Sequence, residues 1–189
     1  METGNRKLEQ FGFSFKRGGV HTARTMMLSE LRSLFAAVPD LRAEHEDYRR
    51  AVLDYNCLGK RSDRTRKLTL RHLADLYALD PDVPLFRILR YFWERDAEAQ
   101  PLLALLCSAA RDPILRLTIP FILAYPQGAT VRRQDVEACI DEREQGRFSP
   151  TTLKSTAQNI NSTLTQAGHL DGHVRKIRTS PQPTPASVS

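Results

Sequence analysis

The side chains best suited to a chemical role lie on one face of a predicted helix that begins at Pro150. Ser149 is a favoured cap before it, and Gly168 is placed to end it. An apolar stripe recurs along the helix at Leu153, Ala157, Ile160, Leu164 and Ala167. The opposite face carries Thr151, Ser155, Gln158, Ser162 and Gln166, flanked by Lys154 and Asn161. Such side chains hydrogen-bond base edges in the major groove of DNA, and lysine also binds phosphate.

Cations surround this helix. Arg147 precedes it, and Arg175, Lys176 and Arg178 follow it. From residue 146 to residue 189 there are five positive charges and one negative charge, Asp171, so this segment carries +4 of the formal net charge of +6. An acid-free polar face between cations favours nucleic-acid binding. The alternative is a Thr- and Ser-rich helix that only packs against the rest of the protein.

A second basic cluster lies before and within another predicted helix, which Ser62 caps. Its members are Lys60, Arg61, Arg64, Arg66, Lys67 and Arg71, opposed in sequence only by Asp63. Cations at a helix N-terminus can hold phosphates through charge and through unpaired backbone amides. The alternative is an ordinary solvated helix face.

The sequence contains no signature of an enzyme. It has no glycine-rich phosphate loop, no H-E-x-x-H and no G-x-S-x-G. His169 and His173 face each other across a predicted hairpin but lack a third ligand, and Cys107 and Cys139 lie in apolar runs. We therefore predict a protein that is not an enzyme and that has no metal site and no cofactor.

Composition limits the class of protein further. The 189 residues are 41% hydrophobic and 26% charged, which is typical of a globular protein and excludes wholesale disorder. An excess of 28 Lys and Arg over 22 Asp and Glu makes a polyanion the first partner to consider. The first ten residues are polar, and the charge-free stretch 117–131 contains two prolines. A spanning helix needs about 20 apolar residues. We expect a cytoplasmic protein without a membrane segment.

Periodicity predicts a mainly helical chain in four parts. Residues 1–20 form an N-terminal arm, in which alternating Phe11, Phe13 and Phe15 predict a short strand. Residues 21–126 form a helical bundle, residues 127–178 a winged helix-turn-helix, and residues 179–189 a disordered tail with three prolines. Within the bundle, six helices are predicted: one from Thr22 to Val38, one capped by Asp40, one capped by Ser62, one from Val83 to Glu94, one opened by Pro101, and one from Ile114 to about Tyr125 that Pro120 ends or kinks.

The order of elements after residue 127 predicts the winged helix. A short helix from Arg133 to Glu144 precedes a turn and the helix that begins at Pro150. Asp171-Gly172 then predicts a hairpin with a two-residue turn. Helix, turn, helix and hairpin in this order are typical of a winged helix-turn-helix.

Several short motifs resemble those of the BrxA family, small accessory proteins of BREX phage-defence systems. The matching segments are Phe13-Ser14-Phe15 with Gly18-Gly19, Asn56, Ser62 to Lys67, Thr163-Leu164, and Ala167-Gly168-His169-Leu170. The resemblance implies an all-helical N-terminal part similar to NusB-type bundles, joined to a winged helix that binds DNA. It also implies a non-enzymatic partner in a multi-protein system that distinguishes host from phage DNA by methylation. The motifs carry no catalytic residue over to this chain. The family has sometimes been labelled an inner-membrane protein, which the hydropathy of this chain opposes.

These observations together predict a DNA-binding accessory protein that holds duplex DNA through the winged helix and the second basic cluster, alongside other BREX proteins. Two alternatives stay open. In one, the bundle is an adaptor that docks a larger defence enzyme. In the other, the chain is a small RNA-binding factor of the NusB type.

Overall fold

A computed structural model describes residues 2–188 of the chain. It is mainly helical, with a small antiparallel sheet. The α-helices are α1 (Glu2–Phe11), α2 (Leu28–Ala37), α3 (His45–Leu53), α4 (Asp63–Tyr77), α5 (Pro84–Trp93), α6 (Gln100–Arg111), α7 (Pro113–Leu123), α8 (Arg133–Glu144), α9 (Pro150–Gln166) and α10 (Pro185–Val188). A 3-10 helix spans Val20–Thr22, and the strands are β1 (Thr130–Val131), β2 (Leu170–Asp171) and β3 (Lys176–Arg178).

The N-terminal arm differs from the prediction of a short strand. Phe11 ends α1, and the segment after it is extended without a neighbouring strand. Its backbone contact is instead a hydrogen bond from the amide of Ser14 to the carbonyl of Ala110, at 3.0 Å. Gly12, at φ +124°, packs so closely on Val83 that a Cβ would lie 2.7 Å from a methyl group. The alternation of phenylalanines therefore reflects a helix end followed by an extended loop. Met1 lies outside the described residues.

Most predicted helix starts are confirmed by their caps. The Ser62 hydroxyl accepts a hydrogen bond from the Thr65 amide, and the Ser149 hydroxyl accepts one from the Thr152 amide, both at 3.2 Å. Pro101 and Pro150 occupy the first turns of α6 and α9, as expected for residues whose missing amide proton costs nothing there.

Three helix boundaries differ from the sequence prediction. The first bundle helix begins at Leu28 rather than Thr22, because Met27 adopts a left-handed conformation before it. The second is capped by Glu44, which forms a capping box with Asp47, whereas the side chain of Asp40 accepts the amide of Arg42 outside the helix. Pro120 neither ends nor interrupts α7, which continues to Leu123.

The three strands form one sheet in the order β1-β3-β2. Leu170 pairs with Arg178 and Asp171 pairs with Ile177, so the hairpin loop runs from Gly172 to Arg175. The predicted two-residue turn is therefore wrong. His169 and His173 do not face each other, because His173 lies in the loop while the carbonyl of His169 accepts the amide of Thr179. We call the loop with its two strands the hairpin.

The C-terminal segment is structured where the sequence predicts a disordered tail. Pro181 lies against Gly168, and Ala186 packs against the core. A hydrogen bond from Thr184 lowers the pKa of Asp96, which ties this segment to the chain before α6. The described residues of 179–188 thus contact the folded chain, and Ser189 lies outside the described residues.

One hydrophobic core extends through the bundle and the region after residue 127. Phe35, Tyr48, Phe86 and Trp93 form its aromatic centre, with Phe35 and Trp93 edge to face at 5.1 Å between ring centroids. Ile160 and Leu164 of α9 are fully buried in the same core. The apolar stripe predicted for α9 is therefore confirmed, and it fixes which face of α9 remains outside.

We expect Leu164→Ala to lower the free energy of unfolding by about 2–5 kcal/mol, because it leaves a cavity at a fully buried site. Ser162→Ala, two residues away on the outer side of α9, is the matched control and should change it by about 0.5 kcal/mol or less. Urea unfolding measures both values. Equal losses would show that the helical phase is wrong.

Candidate nucleic-acid interface

The outer face of α9 exposes most of the predicted base-reading residues. Thr151, Lys154, Gln158 and Gln166 are exposed, while Ser155 and Ser162 are half-buried. Lys154 and Gln158 make no side-chain hydrogen bond or ion pair within residues 2–188, so both can bind a ligand at no cost in broken contacts. Ser155 donates to the carbonyl of Thr152 at 3.0 Å and keeps only its lone pairs for a partner.

Asn161 differs from its prediction as a flank of this face. Its side chain is buried, and its Oδ1 has no hydrogen-bond partner among the described residues. It forms part of the wall of a groove between α9 and the hairpin. Because this oxygen has almost no accessible surface, Asn161 is not one of the exposed hydrogen-bonding side chains of the face.

The groove between α9 and the hairpin is the main concave feature of this region, with a volume of about 690 Å³. Gln158 and Ser162 form its α9 wall, and Arg175 and Lys176 form its hairpin wall. Arg132 and Arg133 complete the lining from the start of α8. No carboxylate is present among the described residues that line it. The groove is therefore cationic, with a polar wall on the α9 side.

Hydrogen bonds to the neighbouring backbone and to β1 hold the cations of the hairpin in place. The Nε of Arg175 donates to the hydroxyl of Thr130 at 2.9 Å, which fixes the guanidinium against β1. The Nζ of Lys176 donates to the carbonyl of Gly172 at 2.5 Å. Partial burial lowers the pKa of Lys176, and the charge of Asp171 opposes that shift.

Two predicted DNA-binding cations are less available than the sequence suggests. Arg178 is buried in β3, and its guanidinium donates to the carbonyl of His169 at 3.2 Å. Its guanidinium is therefore not a candidate contact for a DNA phosphate. Arg147 is exposed, but it forms an ion pair with Glu144 at 2.9 Å and lies over the ring of Phe148.

Arg132 is a candidate contact that the sequence analysis missed. It is exposed, and it forms no ion pair with any described residue, whereas the adjacent Arg133 is paired with Glu137. The sequence did contain a signal for it, because Arg132 and Arg133 are adjacent at the start of a predicted helix. The charge count began at residue 146 and therefore did not include them.

The second basic cluster is partly neutralised. Lys60 forms an ion pair with Glu30 at 3.1 Å, and Lys67 forms one with Asp63 at 2.8 Å. Arg66 is more buried and lies 3.9 Å from the same Asp63 carboxylate. Arg61, Arg64 and Arg71 are exposed and have no ion pair within the described chain. Arg64 and Arg71 are seven residues apart and lie on one face of α4.

A buried polar contact positions α9 against the bundle. The Nδ1 of His21 donates to Oδ2 of Asp112 at 2.9 Å, and its Nε2 lies 2.9 Å from the Thr163 hydroxyl of α9. That hydroxyl oxygen also accepts the amide of Met26 at 2.9 Å. With the ring proton on Nδ1, the Thr163 hydroxyl donates to Nε2, and each of these polar atoms has a partner. The side-chain amide of Asn159 also donates a hydrogen bond to the carbonyl of His21 at 2.9 Å.

The hydrogen-bonded chain from Asp112 through His21 to Thr163 resembles a catalytic triad. These three residues cannot act as one. His21, Asp112 and Thr163 are each at most 1% exposed, so no substrate reaches the hydroxyl. The Thr163 oxygen is already occupied by the Met26 amide. A nucleophile needs access to its target and a free line of attack. This contact is structural.

Asp112 is the centre of this contact. Its Oδ1 caps α7 by accepting the amides of Ile114 and Leu115, and its Oδ2 accepts the amide and the ring of His21. Burial acts to raise the pKa of Asp112, but the hydrogen bonds from His21 and the backbone outweigh it and hold the pKa below its ordinary value. Gly19 is required beside it, because a Cβ there would lie 2.3 Å from the carboxylate.

Comparisons with known proteins add no relative: no family model matches the chain, and no curated protein is similar enough to count as a match. Within residues 2–188 there is no helix that combines the length and apolarity needed to cross a bilayer. The same residues contain no group of three or more His, Cys, Asp or Glu side chains that could hold a metal ion.

We expect Asp112→Asn to lower the free energy of unfolding at pH 7 by about 1.5–3 kcal/mol, because charge-assisted hydrogen bonds are lost. The depressed pKa of Asp112 means that its contribution is complete above the unfolded value near pH 4 and is lost as the pH falls through the folded value. The variant and the wild type should therefore converge in stability on acidification. Urea unfolding from pH 7 down to pH 3 measures this, and a constant difference would contradict the role given to Asp112.

Proposed function

We propose that this protein binds duplex DNA without catalysing a reaction, through the outer face of α9 and the hairpin. The observation that carries the proposal is the carboxylate-free cationic groove between Gln158 and Ser162 on one side and Arg175 and Lys176 on the other. Such a surface suits a phosphodiester backbone beside a row of hydrogen-bonding side chains.

The arrangement of elements supports a winged helix-turn-helix. Helix α7 is followed by β1, α8, a short turn, α9 and the hairpin, and the sheet order β1-β3-β2 places the hairpin beside β1. In helix-turn-helix proteins the second helix enters the major groove and its N-terminal residues meet base edges. Here those residues are Thr151, Lys154, Ser155 and Gln158 on the exposed N-terminal half of α9.

Each set of side chains has a distinct role in this proposal. Gln158 and Lys154 read base edges, because both are exposed and unpaired. Arg132, Arg175 and Lys176 hold backbone phosphates, since they line the groove beside α9. Arg61, Arg64 and Arg71 form a second phosphate contact on the bundle, which engages only a longer duplex.

The wider setting of the protein is part of the same proposal. The motifs that resemble the BrxA family favour a NusB-like bundle and a cytoplasmic accessory role beside other BREX defence proteins. The ordered bundle offers a surface for such a partner: Ile88 and Tyr91 of α5 and Leu106 of α6 are exposed apolar side chains. This observation favours the adaptor as the second candidate function, in which the bundle docks a larger enzyme and the basic surfaces are incidental.

We expect Lys154→Ala and Gln158→Ala each to weaken binding of a specific duplex about tenfold, because each removes a contact to a base edge worth about 1–3 kcal/mol. Fluorescence anisotropy measures the dissociation constants, with Arg87→Ala on α5 as a control that removes an exposed cation elsewhere. Unchanged binding in both α9 variants would contradict the assignment of this face.

The hairpin cations provide a contrast within the same assay. Arg175→Ala should weaken binding to all duplex sequences alike and reduce the slope of log affinity against log salt by about one.

A single-stranded RNA of equal length tests the RNA-binding alternative, because RNA recognition uses exposed bases and 2′-hydroxyls. Tighter binding to that RNA than to the duplex would favour the alternative.

We expect Arg61→Glu, Arg64→Glu and Arg71→Glu together to weaken binding strongly on a duplex long enough to reach both surfaces. On a duplex that only covers α9 and the hairpin, the loss should be much smaller, because linked sites raise affinity only when both are engaged. Anisotropy with two duplex lengths measures the difference. The adaptor alternative expects little loss at either length but loss of co-purification with a partner, and an equal loss at both lengths would contradict a separate second contact.

A further inference from the structure

A second cavity lies away from the α9 groove, where the loop after α1 meets α4 and the start of α7. It has a volume of about 380 Å³, at the lower end of the range for small-ligand sites. The loop contributes Lys16, Arg17 and Gly18, and α4 contributes Arg71 and His72. This loop is held in place from behind, because Gly19 packs on the carboxylate of Asp112.

The charges around this cavity are mostly positive. Lys16, Arg17, Arg71 and Arg111 line it, against one described carboxylate, that of Asp75. Lys16 and Arg17 are exposed and form no ion pair within the described chain. The guanidinium of Arg111 donates to the carbonyls of Gly12, Ala74 and Asp75, so its charge is held in place without a carboxylate partner.

His72 adds an observation that itself points to a ligand. Its side chain lines the cavity and is only 7% exposed, and its Nδ1 has no hydrogen-bond partner among the described residues. Burial, and then the charge of Arg71, lower the pKa of His72. An anion in the cavity would offset the effect of Arg71, because it would place a negative charge near the ring.

The backbone of the loop is also unpaired. The amides of Arg17, Gly18, Gly19 and Val20 donate no hydrogen bond within residues 2–188. A Cβ at Gly18 would meet no atom within 4 Å, so open space lies beside this turn of the chain. Successive free amides together with arginine and lysine are the donors that bind phosphate groups in proteins.

We propose that this cavity binds the terminal phosphate of a small phosphorylated molecule, independently of DNA binding at α9. A recessed cavity with a buried histidine suits a terminal phosphate, which presents several free oxygens, better than a phosphodiester that is linked on both sides. The volume leaves room for a compact group beyond the phosphate.

The test is an NMR titration of the full chain with inorganic phosphate at constant ionic strength. We expect saturable shifts of the Gly18 and Gly19 amides and of the His72 ring, with a dissociation constant of about 1 mM or lower. The double variant Lys16→Gln with Arg17→Gln should raise that constant about tenfold, because two charged donors are lost. The matched control is Arg6→Gln with Lys7→Gln, which removes two exposed charges from α1 and should leave it unchanged.

Two outcomes would overturn the proposal. One is the absence of saturable shifts at these residues, or an equal effect of both double variants, which would show a response to net charge alone. The other is an equal loss of affinity for a duplex with 5′-hydroxyl ends that is long enough to reach α4, which would make the cavity part of the DNA contact proposed for Arg61, Arg64 and Arg71. Unchanged duplex binding by the Lys16 and Arg17 variant, with weaker phosphate binding, supports a separate site. Failure of duplex binding in the wild type would contradict the proposed function and leave this result standing.

Discussion

The buried contact of His21 with Asp112 and Thr163 determines how the outer face of α9 is presented. It joins three segments that are far apart in sequence, since Asp112 lies 91 positions and Thr163 142 positions after His21. Every donor and acceptor in it is satisfied, which is the condition under which a buried polar network orders a core rather than weakening it. Since Asp112 also caps α7, the position of α9 is coupled to the helix that leads into β1. The surface proposed to meet DNA is therefore supported from behind by a buried, hydrogen-bonded contact.

The distribution of charge follows from this arrangement. No acidic residue of α8 lines the groove, and two of them, Glu137 and Glu144, form ion pairs with Arg133 and Arg147. The cations Arg132, Arg175 and Lys176 line the groove, and no carboxylate is among the described residues that line it. In the second basic cluster, in contrast, Asp63 and Glu30 form ion pairs with Lys67 and Lys60 and neutralise part of its charge. The two basic surfaces thus differ in how much of their positive charge is unpaired, and the groove beside α9 is the better suited to bind a polyanion.

Features set by local interactions were predictable from the sequence, and features set by distant contacts were not. The caps at Ser62 and Ser149 and the apolar stripe of α9 depend on residues within a few positions, so spacing alone identified them. The contact of His21 with Asp112 and Thr163 could not be predicted, because a single histidine in a sequence does not indicate which distant residues it will contact. Arg178 looked like a surface cation until its pairing with Leu170 placed it inside the sheet. The tail has the composition of a disordered segment, but Pro181 and Ala186 find sites on the folded chain.

The central claim is that duplex DNA contacts the outer face of α9 and the hairpin. Mapping the backbone amide shifts of the full chain on addition of a short duplex tests this directly. The account predicts that the affected amides cluster at the exposed positions from Thr151 to Ser162 and in the loop from Gly172 to Arg175, with α5 and α6 unaffected. Shifts centred on α5 and α6, or no saturable shifts at moderate salt, would contradict it.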